Sequence, residues 1–306
     1  MKSAFAATLL ASVALVRAAS LFPTGVSDSC SQFFTTLDND SSLATCTSSL
    51  ITATGAFAPS TNSSAAAPTA DDVKTALSSV CSSSSSCSDT TIRTTLANFY
   101  TACTAELTSS LNADVLRTYD ILYSLTPFKN SVCAKDDSGN YCISSIASTT
   151  GKSASALTSL TSSVVQTVSS SKARRADAQA VVAVIPNPTT ITSNNVLFMM
   201  FDPSMEKDKL CQSCARTALT NFISYESKTP YAPGLANSAF ISGQAKLYQA
   251  VNSTCGASFL SGSVAAAAGI SSGILGDDSG ASAMFAESGV VGVLAGALAL
   301  AFGAAF

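Results

Sequence analysis

The apolar positions of this chain fall mostly at helical spacing, in short segments separated by runs of Ser, Thr, Ala and Pro. From Ser27 to Leu50, Phe33, Phe34 and Leu37 follow Cys30 on one face. Leu43, Cys46 and Leu50 repeat the pattern after a polar break, which predicts a pair of helices. Ala53 to Ala67 reads as a glycosylated loop. Pro68-Thr69-Ala70-Asp71-Asp72 marks a helix start, with Thr69 and Asp72 in capping-box spacing and Val73, Leu77, Val80 and Cys81 on one face. The Ser82 to Ser86 run breaks it, and either a short Cys81–Cys87 bridge or distant pairings would suit the cysteines at its ends. Ile92, Leu96, Phe99, Cys103 and Leu107 then trace the most regular stripe, behind a cap at Ser88 or Asp89. Asn112 caps a further helix carrying Val115, Leu116, Tyr119, Leu122 and Tyr123, and Pro127 is expected to limit it.

Between Cys133 and Cys142, Lys135-Asp136-Asp137-Ser138-Gly139-Asn140 reads as a solvated turn; it lacks the ligand spacing of a calcium loop. Ser153 to Ser171 is Ser/Thr-rich with Leu157, Leu160, Val164, Val165 and Val168, and fits either a marginal helix or a β-inclined linker. Val181 to Phe201, with Pro186 and Pro188, is expected to be extended, and Met199-Met200-Phe201 to form a buried strand or packing segment. Helical spacing returns at Leu210, Cys211, Cys214, Ala218, Phe222 and Tyr225, and Pro230 and Pro233 break it. Phe240 or Ile241, Leu247 or Tyr248, and Val251 predict one more helix before Cys255. The pattern as a whole defines an all-α, mainly helical fold class. It is a disulfide-stabilised ectodomain with disordered Ser/Thr/Ala-rich loops near 53–67 and 150–180.

The two ends follow a different logic. Lys2, the short apolar run from Ala4 to Val16 and small residues up to Ala18 make a signal peptide over 1–18; the run falls short of the about 20 apolar residues that span a bilayer. From Gly289 to Phe306 the chain is uncharged and apolar, with no basic flank. Upstream lie a spacer and the tiny residues Ser279, Gly280, Ala281 and Ser282. This is the layout of a glycosylphosphatidylinositol (GPI) anchor signal, with Ser279 and then Gly280 as the attachment residues. The expected plan is a cysteine-rich helical ectodomain over 19–260, a Ser/Gly-rich stalk over 261–279 and an anchor propeptide over 280–306.

Composition narrows the function. Removing both ends leaves roughly 260 residues, room for one large or two small domains. Charged residues make up 11% of the chain and the formal net charge is −3, without the basic patch that nucleic-acid phosphates require. The chain has no His and no Trp, which excludes His-based triads and imidazole metal ligation and removes the commonest sugar-stacking platform. Its ten cysteines are Cys30, Cys46, Cys81, Cys87, Cys103, Cys133, Cys142, Cys211, Cys214 and Cys255. An even set in a secretory chain is a disulfide framework whose connectivity the sequence leaves open. Sequons stand at Asn62 and Asn252, with Asn39 a weaker third. Lys172-Ala173-Arg174-Arg175 resembles a dibasic processing site, with seven cysteines before it and three after. If all ten pair within the chain, at least one bridge crosses that site.

Cys211-Gln212-Ser213-Cys214 has the CxxC spacing of a redox dithiol. The strand–helix alternation of a thioredoxin is missing, so two structural disulfides to different partners are expected. Asp38, Asp40, Asp71, Asp72, Asp114 and Asp120 offer carboxylates, but none is marked as a glycosidase pair, and they read as solvated caps and turns. No catalytic residue, cofactor or metal site is expected, and the chain reads as no enzyme.

The layout resembles a group of fungal secreted, cysteine-rich, GPI-anchored proteins with a helical domain of unknown function. The residues that carry the resemblance are Cys30 to Phe34, the helical Cys103 segment, Leu210-Cys211-Gln212-Ser213-Cys214 and Cys255, within about residues 28 to 258. The chain departs from the tight cysteine spacing of the fungal eight-cysteine haem-binding modules, so haem binding is not implied. The leading expectation is a cell-surface or cell-wall structural or interaction glycoprotein, with plasma membrane, cell-wall glycan or surface proteins as partners and no nucleic acid. A module binding a small ligand, sterol or glycan is the alternative, and a carboxylate-based hydrolase stands behind both.

Overall fold

Five helix starts among the described residues are marked by a side chain that takes up a backbone N–H left free by the first turn. In the computed structural model, which describes residues 23–53, 70–82, 87–145, 163–170 and 181–260, Ser27 Oγ accepts from Cys30 N and opens α1 (Asp28–Asp38). Asp40 Oδ1 accepts from the amides of Ser42 and Leu43 at the start of α2 (Ser41–Ala53). After α3 (Ala70–Val80), Ser88 Oγ accepts from Thr91 N at 3.0 Å and caps α4 (Asp89–Ala102). A short α5 (Thr104–Leu107) follows. Asn112 Oδ1 accepts from the amides of Asp114 and Val115 and opens α6 (Ala113–Val132). Each cap satisfies a donor that the helix itself leaves unpaired.

Helix α6 is the centre of the molecule. Every residue from Thr118 to Leu125 is buried, a pattern that requires neighbours all round the helix. It packs on α4 and, most extensively, on α9 (Ser213–Glu226). A row of edge-to-face rings runs through it: Phe34 on Phe99 (5.3 Å between centroids), Phe99 on Tyr119 (5.4 Å), Tyr119 on Tyr231 (5.4 Å), Tyr231 on Tyr123 (5.0 Å) and Tyr123 on Tyr225 (5.2 Å). The row ties α1 and α4 to α9 and to the loop after it, in the geometry that the ring quadrupoles favour.

The strands β1 (Val165–Ser170) and β2 (Val181–Pro186) pair antiparallel, with Val165 opposite Pro186 and Ser170 opposite Val181. Then come α7 (Pro188–Ser193), a 3₁₀ turn over Val196–Phe198, α8 (Lys207–Leu210), α9 and α10 (Gln244–Cys255). Four disulfides with both side chains among the described residues join these elements: Cys30–Cys103, Cys81–Cys133, Cys142–Cys214 and Cys211–Cys255. Cys87 is also disulfide-bonded, while the side chain of Cys46 lies outside the described set. The fold is mainly helical and disulfide-bonded.

Several expectations change at the level of elements. Pro127 does not limit α6: the helix runs through it to Val132. The missing proline N–H costs one backbone bond. The residues beyond it keep the helix going, because Phe128, Ser131 and Val132 are buried and Cys133 is held by Cys81. The short Cys81–Cys87 bridge does not form, since Cys81 reaches the end of α6 instead. The segment from Ser153 is a strand where it is described, over Val165–Ser170. The extended stretch expected to Phe201 ends at Pro186: Asn187 caps α7 with Pro188 in its first turn, a helix start that the proline disguised. Met199 and Met200 form no strand. Both hold positive φ, 53° and 60°, and turn their side chains into the core.

Candidate functional site

Two carboxyls in the core are the least expected chemistry of this chain. Asp120, in the middle of α6, is fully buried. Its Oδ1 accepts from the Tyr231 hydroxyl (2.6 Å) and the Ser238 hydroxyl (2.7 Å), and its Oδ2 from the Ala239 amide (2.7 Å). Ser238 Oγ in turn accepts from the amides of Phe240 and Ile241. One aspartate therefore ties three residues of the loop between α9 and α10 to α6. Burial pushes its carboxyl up to about 7, against the pull of Ser238, Tyr231 and the Ala239 amide.

Glu226, the last residue of α9, is also buried. Its Oε1 accepts from Gln244 Nε2 at the start of α10. Burial pushes this carboxyl up to about 7 as well, with Gln244 pulling the other way. Glu226 Oε2, Gln244 Oε1, Tyr248 Oη and Ser124 Oγ are all buried and make no hydrogen bond. Neither acid faces an open cleft: both side chains are at most 1% exposed. A hydrolase needs its carboxylates within reach of substrate and water, and these two are sealed among phenols and helix backbones.

A third buried acid was equally unmarked in the sequence. Glu106 Oε1 accepts from Ser27 N at 2.6 Å and so ties α5 to the start of α1. Burial works against its ionised form, but the bonds from Ser27 outweigh that and hold the carboxyl below its usual range. Its oxygen lies within 4.8 Å of the sulfurs of Cys30 and Cys103. Those sulfurs are bonded to each other and present no thiolate to a metal.

The residues singled out by sequence scatter over the molecule. Asp38, Asp71 and Asp114 are exposed, and Asp114 pairs with Arg117 at 2.6 Å. Asp40 caps α2, and Asp72 lies half-buried in the first turn of α3. Asp120 is the correction: it is no solvated cap but a core residue, because its partners come from a loop more than a hundred residues away. Asn252 is exposed on α10. Asn39 is exposed at the end of α1, where its Nδ2 donates to Thr35 O at 2.7 Å. Around Asn39, a shallow hollow is lined by Thr35, Thr36, Asp40 and Ser41, polar groups unlike the apolar wall that a sterol requires. Asn62, Arg174, Arg175, Ser279 and Gly280 lie outside the described residues, as do both ends of the chain. The polar turn between Cys133 and Cys142 is closed on Asp136, whose Oδ1 accepts from the amides of Ser138 and Asn140 at 2.9 Å each.

The two cysteines of the CxxC serve different bridges: Cys211 bonds Cys255, and Cys214 bonds Cys142. Among the described side chains no cysteine is free. Such a framework persists in an oxidising compartment, which marks the chain as secreted or extracellular. Among the described residues, no helix is long and apolar enough to cross a membrane. No family model, curated protein or solved structure matches the chain.

Proposed function

We propose that this chain is a cell-surface or cell-wall structural or interaction glycoprotein, held on the outer face of the plasma membrane by a GPI lipid at Ser279 or Gly280. In this reading residues 1–18 are a signal peptide, 261–279 a stalk and 280–306 a propeptide removed when the lipid is attached. Glycans at Asn252, Asn62 and Asn39 cover part of the surface, and neighbouring wall glycans or surface proteins are the partners. The resemblance to fungal GPI-anchored proteins points the same way. The observation that best supports a non-catalytic role is the use made of Asp120 and Glu226. Among the described residues, the two most perturbed carboxyls are sealed in the core and bonded to the protein's own loop and helix.

Phosphatidylinositol-specific phospholipase applied to intact cells tests the anchor. The protein is expected in the supernatant, together with a known lipid-anchored control. Retention on cells that release the control would overturn the anchored reading.

A further inference from the structure

The two core carboxyls sit in surroundings of opposite hydrogen-bonding sense. Asp120 meets donors on both oxygens and is satisfied as an acceptor. Glu226 and Gln244 have a donor too few. One bond, from Gln244 Nε2 to Glu226 Oε1, leaves Glu226 Oε2 and Gln244 Oε1 as buried acceptors with no partner, a state that native cores avoid. The hydroxyls nearby do not fill the gap. Tyr123 Oη donates to Thr229 O at 2.7 Å, and Tyr248 Oη makes no bond at all. A carboxylic acid supplies the missing donor, since its O–H complements an amide C=O while its own C=O takes the amide N–H.

We propose that Glu226 carries a structural proton in the native protein, held on Oε2 and donated to Gln244 Oε1, so that acid and amide close a reciprocal pair joining α9 to α10. The ionisable groups that face Glu226 are phenols: Tyr123 from α6 and Tyr248 from α10, both held neutral by burial and by this carboxyl. Tyr225 adjoins it on α9 and is also held neutral by burial. Asp120, from α6, acts on Tyr123 as well. Lys228, two residues on, is exposed. None of the facing groups is a cation that would stabilise the ionised form, and burial favours the neutral acid.

The bond makes the fold acid-tightened. An unfolded glutamate loses its proton near 4.5 and the native Glu226 near 7. Between those values the folded protein binds a proton that the unfolded chain has released. Stability therefore falls as pH rises through that window and levels off above it. The junction that weakens is α9–α10, at the end of the two helices opposite the Cys211–Cys255 bridge.

The test uses the full chain with its disulfides intact, labelled with ¹³C at the glutamate carboxyls. The chain has four glutamates, Glu106, Glu206, Glu226 and Glu287, and Asp120 is silent in this experiment. One carboxyl, that of Glu226, is expected to titrate near 7. In Glu226→Gln the amide supplies the same donor. That variant is expected to lose the high titration, to keep its melting temperature above neutral pH, and to show a shallower fall in melting temperature from pH 4.5 to 7. The absence of any glutamate carboxyl titrating near 7 would overturn the proposal, and so would an unchanged slope in the variant. The wild-type titration decides the matter even if the variant does not fold.

Discussion

Asp120 shows how a single residue organises a distant loop. It gathers Tyr231, Ser238 and Ala239, which stand 111, 118 and 119 residues away in sequence. Truncation would orphan two hydroxyls and one amide in a water-free core, at roughly 1–3 kcal/mol each. Asp120→Ala is therefore expected to lower the unfolding free energy by at least about 3 kcal/mol, measured by urea denaturation with disulfides intact. Asp120→Asn turns an N–H₂ toward donors and is expected to destabilise at every pH. Glu226→Gln, which keeps the complement of its partner, is expected not to. The contrast separates a carboxyl used as an acceptor from one used as a donor. Neither residue was legible in the sequence. Asp120 does fall inside an unbroken buried run, Thr118 to Leu125, where an isolated acid has no solvent to face. That burial belongs to the folded core, and the partners that satisfy the acid lie far along the chain.

At the scale of elements, the helices with strong local signals were legible. Ser88 and Asn112 cap α4 and α6 where their side chains and the following apolar stripes place them. Asn112 also donates to Thr24 O at 3.1 Å, so it fixes the chain entering α1 as well as its own helix. Asn112→Ala is expected to cost about 1–2 kcal/mol by the same urea assay, at the upper end for a cap because a second bond is lost. Elements that depend on their neighbours were not legible. Pro127 is a helix breaker in isolation, yet burial on both sides carries α6 past it. The row of helical positions from Leu210 to Tyr225 is two helices, because Cys211 and Gln212 form a corner with Cys211 held by Cys255.

At the scale of the molecule, the disulfides and the core join the two sides of the dibasic Arg174-Arg175. The bridge Cys142–Cys214 crosses from one side to the other, and α6 packs on α9 across the same divide. A chain cut after Arg175 is therefore expected to run as one species on a non-reducing gel and as two after reduction, whereas an uncut chain gives one band in both. The sequence by itself determined the helical periodicity, the caps at Ser88 and Asn112 and the even cysteine set. All of these are written in neighbouring residues, as spacing, side-chain reach along one turn, or composition. Only the tertiary structure decided the pairing of the cysteines, the run of α6 through Pro127 and the burial of Asp120, Glu226 and Glu106. The physical reason is range. A cap or an amphipathic stripe is set by residues three or four apart. A bridge of 72 residues' separation or a carboxyl satisfied from a loop 119 residues away exists only once the core has brought its parts together.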